Sequence, residues 1–151
     1  VGLSHVYAGG DIAAYPGPNG ITRIEHWNVA SNHGREIGRT LATGSKRVYS
    51  HIPVFWSGLG TSLRYAGQGA GYNNVHVDGE PDEEEFVAYY AKDDRVIGVA
   101  TYVLPYSPSM RRDPTMVQAL ALMRAGKMPS FHQIAKGFDL FSISAAAEVQ
   151  L

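Results

Sequence analysis

The sequence contains no cysteine among its 151 residues. Disulfide bridges, thiolate metal sites and a redox-active cysteine pair are therefore excluded within this chain. An excess of positive charge is also lacking, because 13 lysines and arginines stand against 14 acidic residues, for a formal net charge of −1. Without a basic surface, binding of nucleic acid or of an anionic membrane by charge attraction is not indicated, and we expect no nucleic-acid partner.

Long apolar runs are missing as well. No stretch of 18 apolar residues occurs, so we expect no membrane segment. Six histidines are present, but none is paired at the spacing of metal ligands, and the sequence predicts no metal site. What remains is a composition of 44% hydrophobic and 18% charged residues, which suffices to bury one core.

The first pattern that carries chemistry is Gly10-Asp11-Ile12-Ala13, directly after an apolar run at residues 6 to 8. We predict a short strand, a glycine turn and an aspartate at a helix start. Glycine lets a backbone approach a ligand, and a carboxylate accepts hydrogen bonds from two hydroxyl groups, which suits a polyol or ribityl chain. The alternative is an ordinary helix cap. Since the pattern comes so early, we expect the sequence to begin within a domain.

A second helix is predicted after Thr22-Arg23-Ile24-Glu25, which has the spacing of a capping box. The helix should begin near His26 and bury one face. That predicted face consists of Trp27, Ala30, Gly34, Ile37, Gly38 and Leu41. Two aromatic-rich segments follow, residues 53–58 and 62–67, and both are typical of strands.

The rest of the chain predicts an antiparallel sheet followed by helices, an α+β fold. β-branched and aromatic residues between Val75 and Val103 indicate two hairpins, with turns at Asp78-Gly79 and Asp93-Asp94. An acidic run at residues 83–85 favours a solvated turn that protects a sheet edge. The glycines of residues 67–71 favour a bend over a phosphate loop, because no helix start follows them.

Helical spacing returns after the prolines at positions 105 and 108. A helix is predicted around Met116 to Arg124 with a stop at Gly126, and a short one over residues 131–136. The last stretch, residues 139–151, could be a docking strand, a tail, or a segment that orders against a partner.

Three motifs in this order resemble a known enzyme family. They are Gly10-Asp11-Ile12-Ala13, Arg23-Ile24-Glu25-His26-Trp27 and Val54-Phe55-Trp56-Ser57. Together they resemble the C-terminal part of FAD-dependent pyridine nucleotide-disulfide oxidoreductases, in the apoptosis-inducing-factor-like and ferredoxin-reductase-like branches. Residues 62–67 and 85–90 resemble the Rieske-bearing, apoptosis-inducing-factor-like branch most.

The resemblance implies a division of the chain. Residues 1–50 would be the C-terminal remnant of an α/β FAD-binding domain, and residues 51–138 the C-terminal reductase, or interface, domain. Residues 139–151 would be a tail of unknown role. The implied partners are upstream FAD and NAD domains of the same polypeptide, and a homodimer is also allowed. By the same resemblance the location is mitochondrial or cytoplasmic.

The resemblance also implies roles for individual residues, none of them catalytic. Gly10 and Asp11 would bind the flavin ribityl chain. Glu25 is also implied as a cofactor-binding residue, and His26 and Trp27, which follow it, would direct backbone amides to the pyrimidine end of the flavin. These amides lie at a predicted helix N-terminus, whose partial positive charge suits a reduced flavin. The next motif, Phe55-Trp56, would lie beside the isoalloxazine near the nicotinamide, although ordinary core packing explains these aromatics equally well.

The implied function is that of the C-terminal domain of an FAD-dependent NAD(P)H oxidoreductase. Electrons would pass from NADH or NADPH to FAD and then to an iron-sulfur protein, quinone or oxygen. The chain alone should be inactive, because it has no dinucleotide fingerprint. The alternative is a non-catalytic interaction or dimerisation module of an apoptosis-inducing-factor-like protein.

Overall fold

The computed structural model describes residues 5–17, 20–58, 62–103 and 113–145. They form two compact units, of which the first ends at Pro53 and the second begins at Val54. Each unit has buried residues of its own. No helix within the described ranges combines the length and the apolar character that a membrane crossing requires.

The first unit consists of a small hairpin and one long helix. Strands β1 (Tyr15–Gly17) and β2 (Gly20–Thr22) pair antiparallel, and helix α1 spans Trp27–Thr43. The helix begins after His26, where the sequence predicted it, and ends at Gly44, whose φ of 67° is the left-handed conformation that glycine accepts without strain.

Two local predictions for the first unit were wrong. Residues 6 to 8 form no strand, because no described residue of this unit pairs with their backbone as a strand would require. No helix follows Asp11 either. A turn closed by the Ala13 N–H donating to the Gly10 carbonyl at 3.0 Å leads directly into β1.

The buried face of α1 also differs from the predicted one. Val29, His33 and Thr40 are buried, whereas Trp27 and Leu41 are 56% and 64% exposed. The buried face of α1 therefore lies at a different angle around the helix axis from the apolar face that the sequence predicts. Trp27 and Leu41 therefore remain outside the core of this unit.

The second unit is built on a five-stranded antiparallel sheet in the order β3-β4-β7-β6-β5. Its strands are β3 (Val54–Ser57), β4 (Ser62–Gly67), β5 (Asn74–Glu80), β6 (Glu85–Lys92) and β7 (Arg95–Val103). The predicted turn at Asp93-Asp94 is confirmed. The other predicted turn, Asp78-Gly79, was wrong, because these residues continue β5 and the chain reverses at Pro81–Glu84 instead.

Two helices and a short turn cover one face of this sheet. They are α2 (Pro114–Ala125), α3 (Phe131–Ile134) and a 3-10 turn at Leu140–Ser142. Nine buried residues form the core between these layers: Ala66, Tyr89, Val96, Val99, Met116, Ala119, Leu122, Ile134 and Leu140. The fold class is α+β, as predicted, and α2 stops at Gly126, also as predicted.

The beginning of the last stretch packs against this core. Leu140 is buried, and the Gln118 side-chain amide of α2 donates to the carbonyls of Leu140 at 2.9 Å and of Ile143 at 2.8 Å. Residues 139–145 are thus tied to α2. Residues 146–151 lie outside the described part of the chain.

Candidate functional site

The Gly10-Asp11 turn is held by hydrogen bonds on both sides. Gly10 has φ of +81°, and its N–H donates to Nδ1 of His33 in α1 at 3.1 Å. The carbonyl of Asp11 accepts from Nη1 of Arg23 at 3.0 Å. Two residues outside the turn therefore determine the direction of its backbone.

The carboxylate of Asp11 is available for a ligand. Asp11 is exposed, and its side chain has no hydrogen-bond or ion-pair partner within the described ranges. A carboxylate of this kind, next to a glycine that brings the backbone close, can accept hydrogen bonds from two neighbouring hydroxyl groups. The Asp11 carboxylate, next to this glycine, therefore fits a ribityl chain.

Arg23 connects the turn to the second predicted motif. While its Nη1 binds the Asp11 carbonyl, its Nη2 pairs with Oε1 of Glu25 at 2.5 Å. Both charged side chains are more than half exposed, so the ion pair itself stabilises little. The structure thus brings Asp11 and Glu25 together through one arginine.

His26 caps the N-terminus of α1, and Trp27 lies beside it. Nδ1 of His26 accepts the N–H of Asn28 at 3.3 Å, and the rings of His26 and Trp27 are 5.6 Å apart between centroids. The predicted capping box, whose cap would have been Thr22, was wrong. Histidine is not among the side chains that usually cap helices, and so the sequence pattern did not reveal His26 in this role.

His33 is the residue of this site that the sequence interpretation missed. It is 6% exposed, and the rings of Tyr15 and Tyr49 lie 4.7 Å and 4.4 Å from its ring. Burial raises the pKa of Tyr49 to about 12, with a smaller contribution from Tyr15. The only available signal was the helical spacing of His33 from Val29, one turn earlier on α1.

Phe55 and Trp56 lie in the second unit on β3, which is the outermost of the described strands at its end of the sheet. Because consecutive residues of a strand point to opposite faces, their side chains lie on different sides of the sheet. Phe55 packs on Tyr65 at 5.4 Å between ring centroids, and Trp56 stands opposite Arg64 and is 60% exposed. Neither residue belongs to the buried core of its unit.

The described ranges contain no cluster of side chains that could hold a metal ion. Nowhere there do three histidine, aspartate or glutamate side chains come together as metal ligands.

Two apoptosis-inducing factors and a ferredoxin reductase are similar in sequence to this chain. Mouse and human apoptosis-inducing factor 3 are 32% and 33% identical to it over 126 residues, which cover 81% of the chain and 19% of each relative. The ferredoxin–NAD(P)+ reductase fdr of Sphingomonas is 35% identical over 102 residues, or 64% of the chain and 24% of that protein. No family model matches the chain.

Solved structures show the same relationship. The ferredoxin reductase for the CYP199A2 system from Rhodopseudomonas palustris superposes with a TM-score of 0.71 at 26% identity, over 88% of this chain and 32% of that one. The reductase in a covalent putidaredoxin reductase–putidaredoxin complex has a TM-score of 0.65 at 23% identity, over 80% and 27% of the two chains, and so shows the fold alone. The present chain spans about a fifth of the length of the apoptosis-inducing factors it matches.

Proposed function

This chain belongs to the apoptosis-inducing-factor-like, ferredoxin-reductase-type oxidoreductases as their C-terminal region, and we propose that it supplies one rim of a flavin and nicotinamide site. The cofactor is FAD, and the electron donor is NADH or NADPH. When bound, the flavin accepts a hydride and releases single electrons to an iron-sulfur protein, a quinone or oxygen.

The observation that carries this proposal is the Gly10-Asp11 turn. Its backbone is tied to His33 and Arg23, and the Asp11 carboxylate has no partner within the described ranges. We propose that Asp11 accepts hydrogen bonds from the ribityl hydroxyls of FAD. The left-handed φ of Gly10 brings the backbone of the turn close to that chain.

The N-terminus of α1 provides the second contact. Glu25, His26 and Trp27 precede or begin the helix, and the helix dipole places about half a positive charge at this end. We propose that backbone amides of His26 and Trp27 face the pyrimidine end of the flavin. A positive end stabilises the negative charge of the reduced form and so raises the electron affinity of the cofactor.

The aromatic residues of β3 have separate roles in this proposal. Since Phe55 and Trp56 lie on opposite faces of the sheet, they contact the ligands from different directions. Phe55, which packs against Tyr65, lies beside the isoalloxazine. Trp56 is the more exposed of the two and borders the nicotinamide.

The chain works together with FAD and NAD domains of the same polypeptide. Residues 1–50 complete the FAD-binding domain and residues 51–138 form the C-terminal reductase domain. An iron-sulfur protein is the electron acceptor best supported, because two similar proteins are named as ferredoxin reductases. A mitochondrial or cytoplasmic location and a homodimer are further parts of the proposal. A purely non-catalytic interaction module is not favoured, because the relatives include reductases.

The experiment uses the longer polypeptide that includes FAD and NAD domains. The wild type should be yellow and lose its flavin absorbance on addition of NADH or NADPH. The Asp11→Ala variant should bind FAD more weakly by about 1 to 3 kcal/mol, because the ribityl hydroxyls lose a charged acceptor. Asp82→Ala, on an exposed acidic turn, is the matched control and should bind FAD normally. Equal FAD affinities for the wild type and Asp11→Ala would contradict the proposal.

A further inference from the structure

His33 contacts the Gly10-Asp11 turn although it lies 23 residues away in the sequence. The Gly10 N–H donates to Nδ1 of His33 at 3.1 Å, and the histidine is 6% exposed. The bond therefore joins the buried face of α1 directly to the backbone next to Asp11.

The direction of this bond determines the form of the imidazole ring. Nδ1 accepts a hydrogen bond from the Gly10 amide, so it carries no hydrogen, and the neutral ring holds its hydrogen on Nε2. Nε2 is buried and has no hydrogen-bond partner within the described ranges. A buried donor without a partner costs stability, which an apolar side chain would avoid. The favourable polar contact of His33 is thus its bond to Gly10.

The turn that contains Gly9 and Gly10 packs closely on helix α1. A Cβ atom on Gly9 would lie 2.7 Å from Cδ1 of Ile37 and 3.3 Å from Cβ of His33. A larger residue at position 9 would require the tip of Ile37 and the Cβ of His33 to shift, and the next residue, Gly10, has a positive φ that favours glycine. The turn therefore lies on α1 with its amide aimed at Nδ1.

We propose that His33 is a positioning residue for Asp11: its Nδ1 holds the Gly10 amide so that the Asp11 carboxylate faces the flavin ribityl chain. This inference rests on the proposed flavin function and adds the residue that orients its acidic group. Arg23 holds the other side of the turn through an exposed bond, whereas the bond to His33 is partly buried.

The test compares FAD affinity among variants of the longer polypeptide. His33→Leu should weaken FAD binding about tenfold, as expected for the loss of one hydrogen bond. His33→Asn keeps an acceptor at the position of Nδ1 and should restore most of the affinity. Tyr49→Leu is the matched packing control, because it removes a ring from the same cluster and leaves the Gly10 bond in place. This control should lower the melting temperature without weakening FAD binding.

A second measurement does not involve flavin. In the 151-residue chain, ¹⁵N shifts of the His33 ring should show hydrogen on Nε2 alone, and exchange of the Gly10 amide should accelerate in His33→Leu. Unchanged exchange of that amide would overturn the inference whatever the flavin data show. Equal losses of FAD affinity in His33→Leu and Tyr49→Leu would also overturn it, because the role would be packing alone. A wild type that binds no FAD would instead overturn the proposed function, and with it the ligand of the turn.

Discussion

The hydroxyl of Tyr65 lies directly over the backbone of Gly98 on the neighbouring strand β7. A Cβ atom on Gly98 would be 2.5 Å from this oxygen and 3.1 Å from the ring carbon that carries it. The same hydroxyl accepts the Gly69 N–H at 2.6 Å and so holds the glycine-rich bend after β4. Tyr65 thus connects its own strand β4 with strand β7 and with the glycine-rich bend that follows β4.

The Gly98→Ala substitution should destabilise the chain. The added methyl group has no room beneath the Tyr65 ring, and overpacking of this kind costs about 1 to 3 kcal/mol. Tyr65→Phe alone should cost about 1 kcal/mol through the bond lost at Gly69. The double variant should be more stable than the sum of the single effects, since the nearest clashing atom is gone. Urea unfolding measures all three variants, and strict additivity would show that the two residues do not interact.

Replacement of Trp56 should have little effect on stability. Trp56 is 60% exposed and lies outside the buried core, so Trp56→Ala should lower the free energy of unfolding by about 1 kcal/mol or less. Leu122→Ala, in the centre of that core, should cost about 2 to 5 kcal/mol and provides the contrast. In the longer polypeptide, Trp56→Ala should retain FAD and change the rate of flavin reduction by NADH, measured by stopped flow. A collapsed melting temperature with unchanged reduction would remove Trp56 from the proposed site.

Removal of the Asp113 carboxylate should be more costly than loss of an ordinary helix cap. Asp113 is buried, caps α2 through the Met116 N–H at 3.0 Å, accepts from Thr101, and lies 3.5 Å from Arg64. We expect Asp113→Ala to cost about 3 kcal/mol, because buried donors lose their acceptor. Asp139→Ala, which removes an exposed cap, should cost about 1 kcal/mol. Similar losses in thermal and urea unfolding would show that the buried partners of Asp113 contribute nothing.

Alkaline pH should weaken the second unit through Tyr89. Burial raises the pKa of Tyr89 from 10.0 to about 12, and the charges of Asp78 and Asp113 add to the effect. The folded state therefore keeps a proton that the unfolded state releases. This contribution to stability is complete below pH 10 and is lost as the pH rises to about 12. Urea unfolding at several pH values should give a smaller decline in this window for Tyr89→Phe than for the wild type. Identical declines would contradict the assignment.

Much of the second unit could be predicted because its signals are local. β-branched and aromatic residues indicate β6 and β7, and Gly126 marks the end of α2. Asp78-Gly79 misled the prediction because Gly79, with φ of +99°, lies within a strand. A Cβ atom there would be 2.5 Å from the Glu85 carbonyl, so this glycine permits close pairing instead of a reversal.

The site in the first unit was only partly predictable. The turn at Gly10-Asp11 and a helix start near His26 were predicted from local sequence, although the capping box from which the helix start was inferred was wrong, because His26 is the cap. The bond from Gly10 to His33 joins positions 23 residues apart, and no local pattern records it. The separation of Phe55 from Trp56 follows from the period of two in any strand once β3 is recognised.

The outer edge of the sheet at β5 limits how copies of this chain can assemble. Among the described strands, β5 is an edge strand, and it carries Asp78, Glu80 and the left-handed Gly79 before the acidic turn at Pro81–Glu84. A second β5 strand laid alongside would bring like charges together and meet a backbone irregularity. Continuous sheets or fibres that grow through this edge are therefore disfavoured. Any pairing between copies of the second unit should therefore avoid the β5 edge.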